Sequence, residues 1–216
     1  MDLLDFHLIH PFTCVVSGGT MSGKTTFTID LIKRRKEIIN KKLDKVVYVY
    51  CDFQPIFHNL EQEDPNIKFT NDIRELEELI EPPCLIVIDD HMDTITNDKE
   101  VGKLITSFFI KKAHHLNCSI LIITQNGHPE KFVNINRNTN YTLFFDLLGD
   151  QSVLATRGRQ LYPGKPGFLL DAYQKSMELR DFGYLFLDYH PARKNKKYSC
   201  RSHLDPVPEC QVYLPK

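Results

Sequence analysis

The sequence predicts an α/β fold with a mostly parallel sheet flanked by helices. Short apolar runs alternate with amphipathic stretches along most of the chain, which is how a parallel sheet with helical crossovers is written. One of those runs, Cys84-Leu85-Ile86-Val87-Ile88, is apolar throughout, as expected of a strand covered on both faces. A composition of 42% hydrophobic and 25% charged residues over 216 positions is that of an ordinary globular chain. It sets aside the disordered, collagen-like and coiled-coil classes.

The first strand is expected over residues 12–16, closed by Ser17-Gly18-Gly19 and followed by a helix from Gly23 to about Lys36. Lys33-Arg34-Arg35-Lys36 suits the negative end of that helix and reads as a solvated basic cap. Further strands are expected at 46–51, 84–88, 120–124, 141–145 and 184–188. Helices are expected at 73–80, stopped by Glu81-Pro82-Pro83, and at 99–116, 151–160 and 168–177. Residues 1–190 read as one domain, with 191–216 as a C-terminal tail or edge hairpin packed on it. The cluster Arg193-Lys194-Asn195-Lys196-Lys197 in that tail reads first as an exposed turn and second as a polyanion contact.

Charge and cysteine usage exclude several classes. Lysine plus arginine number 27 and aspartate plus glutamate 28, so a basic DNA-coating protein is excluded, although a local contact with nucleic acid is not. No apolar run reaches the ~18 residues that span a bilayer. The acidic start Met1-Asp2-Leu3-Leu4-Asp5 lacks the basic region of a secretory signal, so an intracellular, non-secreted protein is expected. The six cysteines form no CxxC pair. Cys14, Cys51, Cys84 and Cys118 lie in or beside apolar runs and read as small buried thiols. His114-His115 and His128 have no cysteine partners at ligand spacing, which speaks against a structural metal site.

Gly18-Gly19-Thr20-Met21-Ser22-Gly23-Lys24-Thr25 fits G-x-x-x-x-G-K-[ST] at every fixed position. Glycines at both ends let the backbone curl into a nest of N–H groups, and the following helix turns its positive end on the same anion. Lys24 is placed to reach β and γ phosphates, the Thr25 hydroxyl to ligate Mg²⁺, and Thr26 to lie near the α phosphate. The motif follows an apolar strand and opens an amphipathic helix, which is the context that confirms it. ATP and Mg²⁺ are the expected ligands.

Strand 84–88 runs into Asp89-Asp90. A carboxylate at that point holds Mg²⁺, the role expected of Asp89, and a second can act as base toward water, the role expected of Asp90. The alternative for Asp90 is to cap the next turn, the less favoured reading. Strand 120–124 runs into Gln125-Asn126-Gly127. If that strand stands between the phosphate loop and Asp89, Gln125 can orient water or sense the γ phosphate; Asn126-Gly127 is also a strong turn signal. The order of these pieces is that of the additional-strand P-loop NTPases, which include the RecA-like motors. An arginine-rich nucleotide-kinase lid and an Asn-Lys-x-Asp guanine reader are both missing.

Beyond the phosphate loop, several segments resemble the FtsK–HerA superfamily, especially its viral genome-packaging ATPases of the poxvirus-like and Polinton/Maverick type. They are Val15-Val16-Ser17-Gly18-Gly19 through Phe27, Tyr48-Val49-Tyr50-Cys51-Asp52-Phe53-Gln54-Pro55-Ile56-Phe57, Leu85-Ile86-Val87-Ile88-Asp89-Asp90 and Ile122-Ile123-Thr124-Gln125-Asn126. Arg137-Asn138-Thr139-Asn140-Tyr141-Thr142-Leu143-Phe144-Phe145, Gln160-Leu161-Tyr162-Pro163 and Gly183-Tyr184-Leu185-Phe186-Leu187-Asp188 extend the resemblance over most of residues 12–190. The acidic pair of that superfamily often ends in glutamate, where this chain has Asp90.

The resemblance implies a DNA-translocating ATPase that packages double-stranded DNA into a capsid, working as a homo-oligomeric ring with a neighbour's arginine completing each site. Arg137 is the first candidate for that arginine, with Arg157 and Arg159 as alternates. Phosphate contacts to DNA are expected from residues 127–136, including Lys131, or from the segment after Asp90, with a capsid protein as a possible further partner. Two alternatives stay open. A superfamily 3 helicase would use Asn126 as its sensor, although little chain precedes the first strand to carry the domain such helicases bear. A non-motor ATP-binding switch fits the short base Asp90, and a small-molecule kinase is a more distant third.

Overall fold

The computed structural model describes residues 6–125, 133–205 and 210–215. Among them the strands are β1 (Thr13–Ser17), β2 (Lys45–Tyr50), β3 (Ile67–Thr70), β4 (Cys84–Asp89), β5 (Cys118–Thr124), β6 (Tyr141–Phe144), β7 (Leu185–Asp188) and β8 (Cys200–Arg201). The α-helices are α1 (Lys24–Lys33), α2 (Arg35–Ile38), α3 (Pro55–Glu63), α4 (Leu76–Leu79), α5 (Met92–Asn97), α6 (Lys99–Ser107), α7 (Ala113–His115), α8 (Val133–Arg137), α9 (Ser152–Leu161) and α10 (Phe168–Glu178). The strands form one sheet in the order β3-β2-β4-β5-β1-β6-β7-β8. β1 to β6 are parallel, and β7 and β8 are antiparallel additions at one margin.

Strand alternation divides the core. Leu85 and Val87 of β4 and Leu121 and Ile123 of β5 pack with α1, α2 and α3 on one face. Ile86, Ile88, Ile120 and Ile122 pack with α4 to α7 on the other. A third cluster joins β6 and β7 to α9 and α10. Asp89 shares the parity of Leu85 and Val87, so its side chain belongs to the α1 face.

The helix expected over 23–36 breaks at Arg34, the residue between α1 and α2. The basic cap expected there is not solvated as a block. Arg35 is buried, and its guanidinium donates to the carbonyls of Ile32, Leu43 and Asp44 and to the Asp64 carboxylate at 2.6 Å. Arg34 forms a two-pronged pair with Asp205. Side-chain packing, rather than the helix dipole, accounts for these two cations.

Sequence periodicity missed α3, β3, α5 and α8. α3 buries only Phe57 and Leu60, and β3 is a four-residue edge strand buried at its two ends and partly exposed in the middle. The helix expected over 99–116 contains a π-turn at Phe108–Lys112, which sends both Phe108 and Phe109 into the core. Cys51 corrects the expectation of a buried thiol: it is exposed just past β2, whereas Cys14, Cys84 and Cys118 are buried, all as free thiols.

The antiparallel margin is held by buried charge. Asp188 accepts from Arg193 Nε at 2.7 Å, and Arg193 also donates to the His7 carbonyl. Arg201 lies between the rings of Phe6 and Phe186, 4.7 and 4.5 Å from their centroids. Arg193, expected in an exposed turn, is therefore buried, while Lys194, Lys196 and Lys197 stay exposed. Removing one partner of a buried pair leaves the other charge unpaired out of water. Asp188→Ala is expected to lower the unfolding free energy by about 3–5 kcal/mol, measured by urea denaturation, whereas Lys194→Ala changes it by less than about 0.5 kcal/mol.

Candidate nucleotide site

The parallel strands β1, β2, β4 and β5 end at the same margin of the sheet. Their last residues lead into the phosphate loop, Cys51, Asp90 and Gln125, and this is the margin where ligands bind in open α/β sheets. The β5 register places Ser17 opposite Thr124 and Asp89 opposite Ile123, so β5 stands between the phosphate-loop strand and the acidic strand. The condition set for Gln125 by the sequence is met.

The loop is built by local bonds. Gly18 N–H donates to the Thr124 carbonyl and Gly19 N–H to the Asp146 carbonyl, which anchors the loop to β5 and to the end of β6. A Cβ on Gly18 would lie 2.7 Å from the Phe145 Cβ and 2.8 Å from the Ser22 hydroxyl, closer than side chains tolerate. Gly23 caps α1 with φ 97°, a left-handed conformation that favours glycine. The Ser22 hydroxyl is buried with no partner among the described residues, and a buried polar atom of that kind fits an anion acceptor.

Lys24, 8% exposed, extends its ammonium to the Gly19 carbonyl at 2.6 Å. Burial lowers its pKa, and the charges of Asp90 and Asp89 oppose that shift. Asp89 is buried on the α1 face and accepts the Tyr48 hydroxyl at 2.7 Å. Burial raises its pKa; the Tyr48 hydrogen bond and the Lys24 charge pull it down, and Asp90 pushes it up. Asp90 adopts φ 57° and accepts the Gln125 side-chain amide at 2.6 Å. That backbone turn, which aspartate adopts more readily than bulkier residues, takes Asp90 off the strand direction.

Lys24, Thr25, Asp89, Asp90 and Gln125 line one cavity of about 500 Å³, together with Thr20, Met21, Ser22, Gly23 and Thr26 of the loop. Gly18 and Gly19 shape the loop from behind it. Thr25 and Asp89 are hard oxygen donors on a common wall, a set that fits Mg²⁺ held by one carboxylate, one hydroxyl and nucleotide oxygens. Cys51, Asp52 and Gln54, from the segment after β2, line the same cavity.

The structure keeps the candidate arginines away from this cavity. Arg137 is exposed at the end of α8, and the Asn138 carbonyl that follows it accepts from Thr13 at the start of β1, the opposite margin of the sheet. Arg157 is partly buried against the Asn136 carbonyl, and burial lowers its pKa. Arg159 is exposed on the same helix. Asn126, Lys131 and most of the expected DNA-contacting stretch lie outside the described residues.

Sequence reasoning missed Tyr48 as a partner of Asp89. The signal comes only with strand register: Tyr50 pairs with Asp89, so Tyr48, two residues back, shares its face on the adjoining strand. Phe182 was missed as well. It is 67% exposed, lies on the segment before β7 and lines the cavity opposite the acidic pair.

Fold and site together define a P-loop NTPase fold of the RecA-like, additional-strand kind. Compared with solved structures, the chain is similar to the genome-packaging NTPase B204 of Sulfolobus turreted icosahedral virus 2, solved with ATPγS. That match has TM-score 0.53 and 12% identity over 95% of this chain and 98% of B204. It is also similar to the cytoplasmic domain of the type VII secretion ATPase EccC of Thermomonospora curvata, with TM-score 0.56 and 15% identity over 82% of this chain and 24% of that one. A KaiC-like protein of Pyrococcus horikoshii matches with TM-score 0.54 and 12% identity over 95% and 91% of the two chains. These neighbours share the fold that the resemblance read from the motifs implies. No protein-family model matches the chain, and no curated protein matches it.

The Tyr48 hydrogen bond holds Asp89 in its charged form. Tyr48→Phe removes that bond and leaves the burial, so Asp89 takes up its proton at higher pH than in the wild type. A carboxyl-carbon NMR titration of the two proteins measures the displacement.

Proposed function

We propose that this chain is the subunit of an ATP-hydrolysing motor that translocates double-stranded DNA into a viral or virus-like capsid. One observation carries the hydrolytic part of this reading: Lys24, Asp89, Asp90 and Gln125 line one cavity, with Gln125 bonded to Asp90. A simple binding loop needs the lysine but has no use for a paired carboxylate and sensor. The packaging part is supported by the match to B204, which runs over nearly the whole of both chains.

In this reading the loop N–H groups, the Ser22 hydroxyl and Lys24 hold the phosphates of ATP. Thr25 and Asp89 hold Mg²⁺, which when bound neutralises β and γ oxygens. Asp90 accepts the proton of the attacking water through the carboxylate oxygen that Gln125 leaves free. Gln125 fixes the direction of that carboxylate and registers whether a γ phosphate is present. Arg137 completes the site of another copy, because in its own chain it stands at the far margin of the sheet. A contact that joins one margin of a subunit to the opposite margin of the next is heterologous, the kind that closes into rings. DNA would be held through its phosphates, without sequence preference, inside such a ring. The capsid protein and an intracellular assembly site belong to the same proposal.

Steady-state ATP hydrolysis with Mg²⁺, with and without double-stranded DNA, tests it. Wild type is expected to turn over and to be stimulated several-fold by DNA, with Lys24→Ala at least about 100-fold slower. Mixing Arg137→Ala with Lys24→Ala is expected to restore part of the activity, since each supplies what the other lacks. ATP binding with background turnover under every condition would instead establish a switch, and separation of a forked duplex would establish a helicase.

A further inference from the structure

The phosphate cavity opens onto a second cavity that lacks a function in the hydrolytic scheme. Gly23, Thr26 and Phe182 are common to both. The second cavity, of about 330 Å³, is floored by Phe27, Phe145 and Tyr184, whose rings contact one another with centroids 4.9 to 5.7 Å apart. Arg180, on its rim, lies over Tyr184 at 5.3 Å.

The polarity of the site gives the second cavity a direction. The γ-phosphate end is fixed by Asp89, Asp90 and Gln125, and Thr26 marks the α-phosphate end. What is attached to the α phosphate leaves past Thr26, which is the shared wall. Phe182 stands at that exit. Its backbone is in the left-handed region, φ 54°, which a bulky side chain rarely adopts. A Cβ added to Gly23 would lie 3.1 to 3.3 Å from Phe182 Cβ, Cδ1 and Cγ, so the ring base rests against the loop while most of the side chain faces solvent. A strained backbone that exposes an aromatic ring carries two costs, and the contact of the ring base with Gly23 is the packing it gives in return.

We propose that Phe182 is the stacking platform for the purine base of the bound nucleotide, with the base and ribose in the cavity between α1 and the 180–184 segment. The inference deepens the nucleotide reading and rests on it. Aromatic rings hold bases by stacking whatever the base edge, so Phe182 contributes affinity for the nucleoside moiety and none for the phosphates.

Calorimetric binding of ATP and of inorganic tripolyphosphate to the full chain separates the two contributions. Phe182→Ala is expected to weaken ATP about tenfold and to leave tripolyphosphate unchanged, while Phe182→Tyr keeps the wild-type affinity for both. The chain has no tryptophan, so Phe182→Trp introduces a single indole whose emission ATP should quench and tripolyphosphate should not. Equal weakening of both ligands by Phe182→Ala would make the ring a support of the loop, and no change in either would leave it without a role; each overturns the proposal. A wild type that binds ATP but ignores Phe182 overturns this inference alone. A wild type that binds neither ligand overturns the nucleotide reading with it.

Discussion

The hydrogen-bonded register of β5 with both of its neighbours is the constraint on which the site depends. β5 is buried along its whole length and pairs with β1 on one side and β4 on the other. Because side chains alternate, a slip of one residue between β5 and β4 would move Asp89 to the opposite face from Lys24. The same strand supplies the Thr124 carbonyl that anchors Gly18 and leads into Gln125 at the acidic pair. Loop position, carboxylate orientation and the Gln125–Asp90 contact all follow from one register. The apolar run that marks β5 in the sequence is what buries this register on both faces.

Electrostatics at this margin is a balance between burial and proximity. Lys24 and Asp89 are both taken out of water, and burial acts against the charge of each. The surroundings oppose burial in part, two carboxylates at Lys24 and a tyrosine hydroxyl and the lysine at Asp89. Two carboxylates against one ammonium leave local negative charge at the γ-phosphate end. A divalent cation held by Thr25 and Asp89 would offset that excess.

The central strands and the phosphate loop were legible in the sequence because their signals are local. Continuous apolar runs identify β4 and β5, and fixed glycine and lysine spacing identifies the loop. The elements that escaped notice bury little. α3 covers two side chains, and β8 is two residues long and exists by pairing with β7. At the site, Lys24, Asp89 and Gln125 were legible from position alone. Tyr48 and Phe182 were not, since one is recognised only through cross-strand register and the other only through the meeting of two segments about 160 residues apart. The misplaced arginines have a common origin: Arg35 and Arg193 sit in basic runs that look solvated, yet single members of those runs are drawn inward by a carboxylate and a set of carbonyls.

Both margins of the sheet are closed to main-chain addition. On one side β8 offers two residues, one of them an arginine locked between rings; on the other, β3 offers four and carries Lys68 tied to Glu81. Extension of the sheet by another chain is therefore disfavoured at both margins. Contacts with other molecules fall to helices and loops, whose side-chain contacts can shift and re-form without unravelling a ladder of backbone bonds.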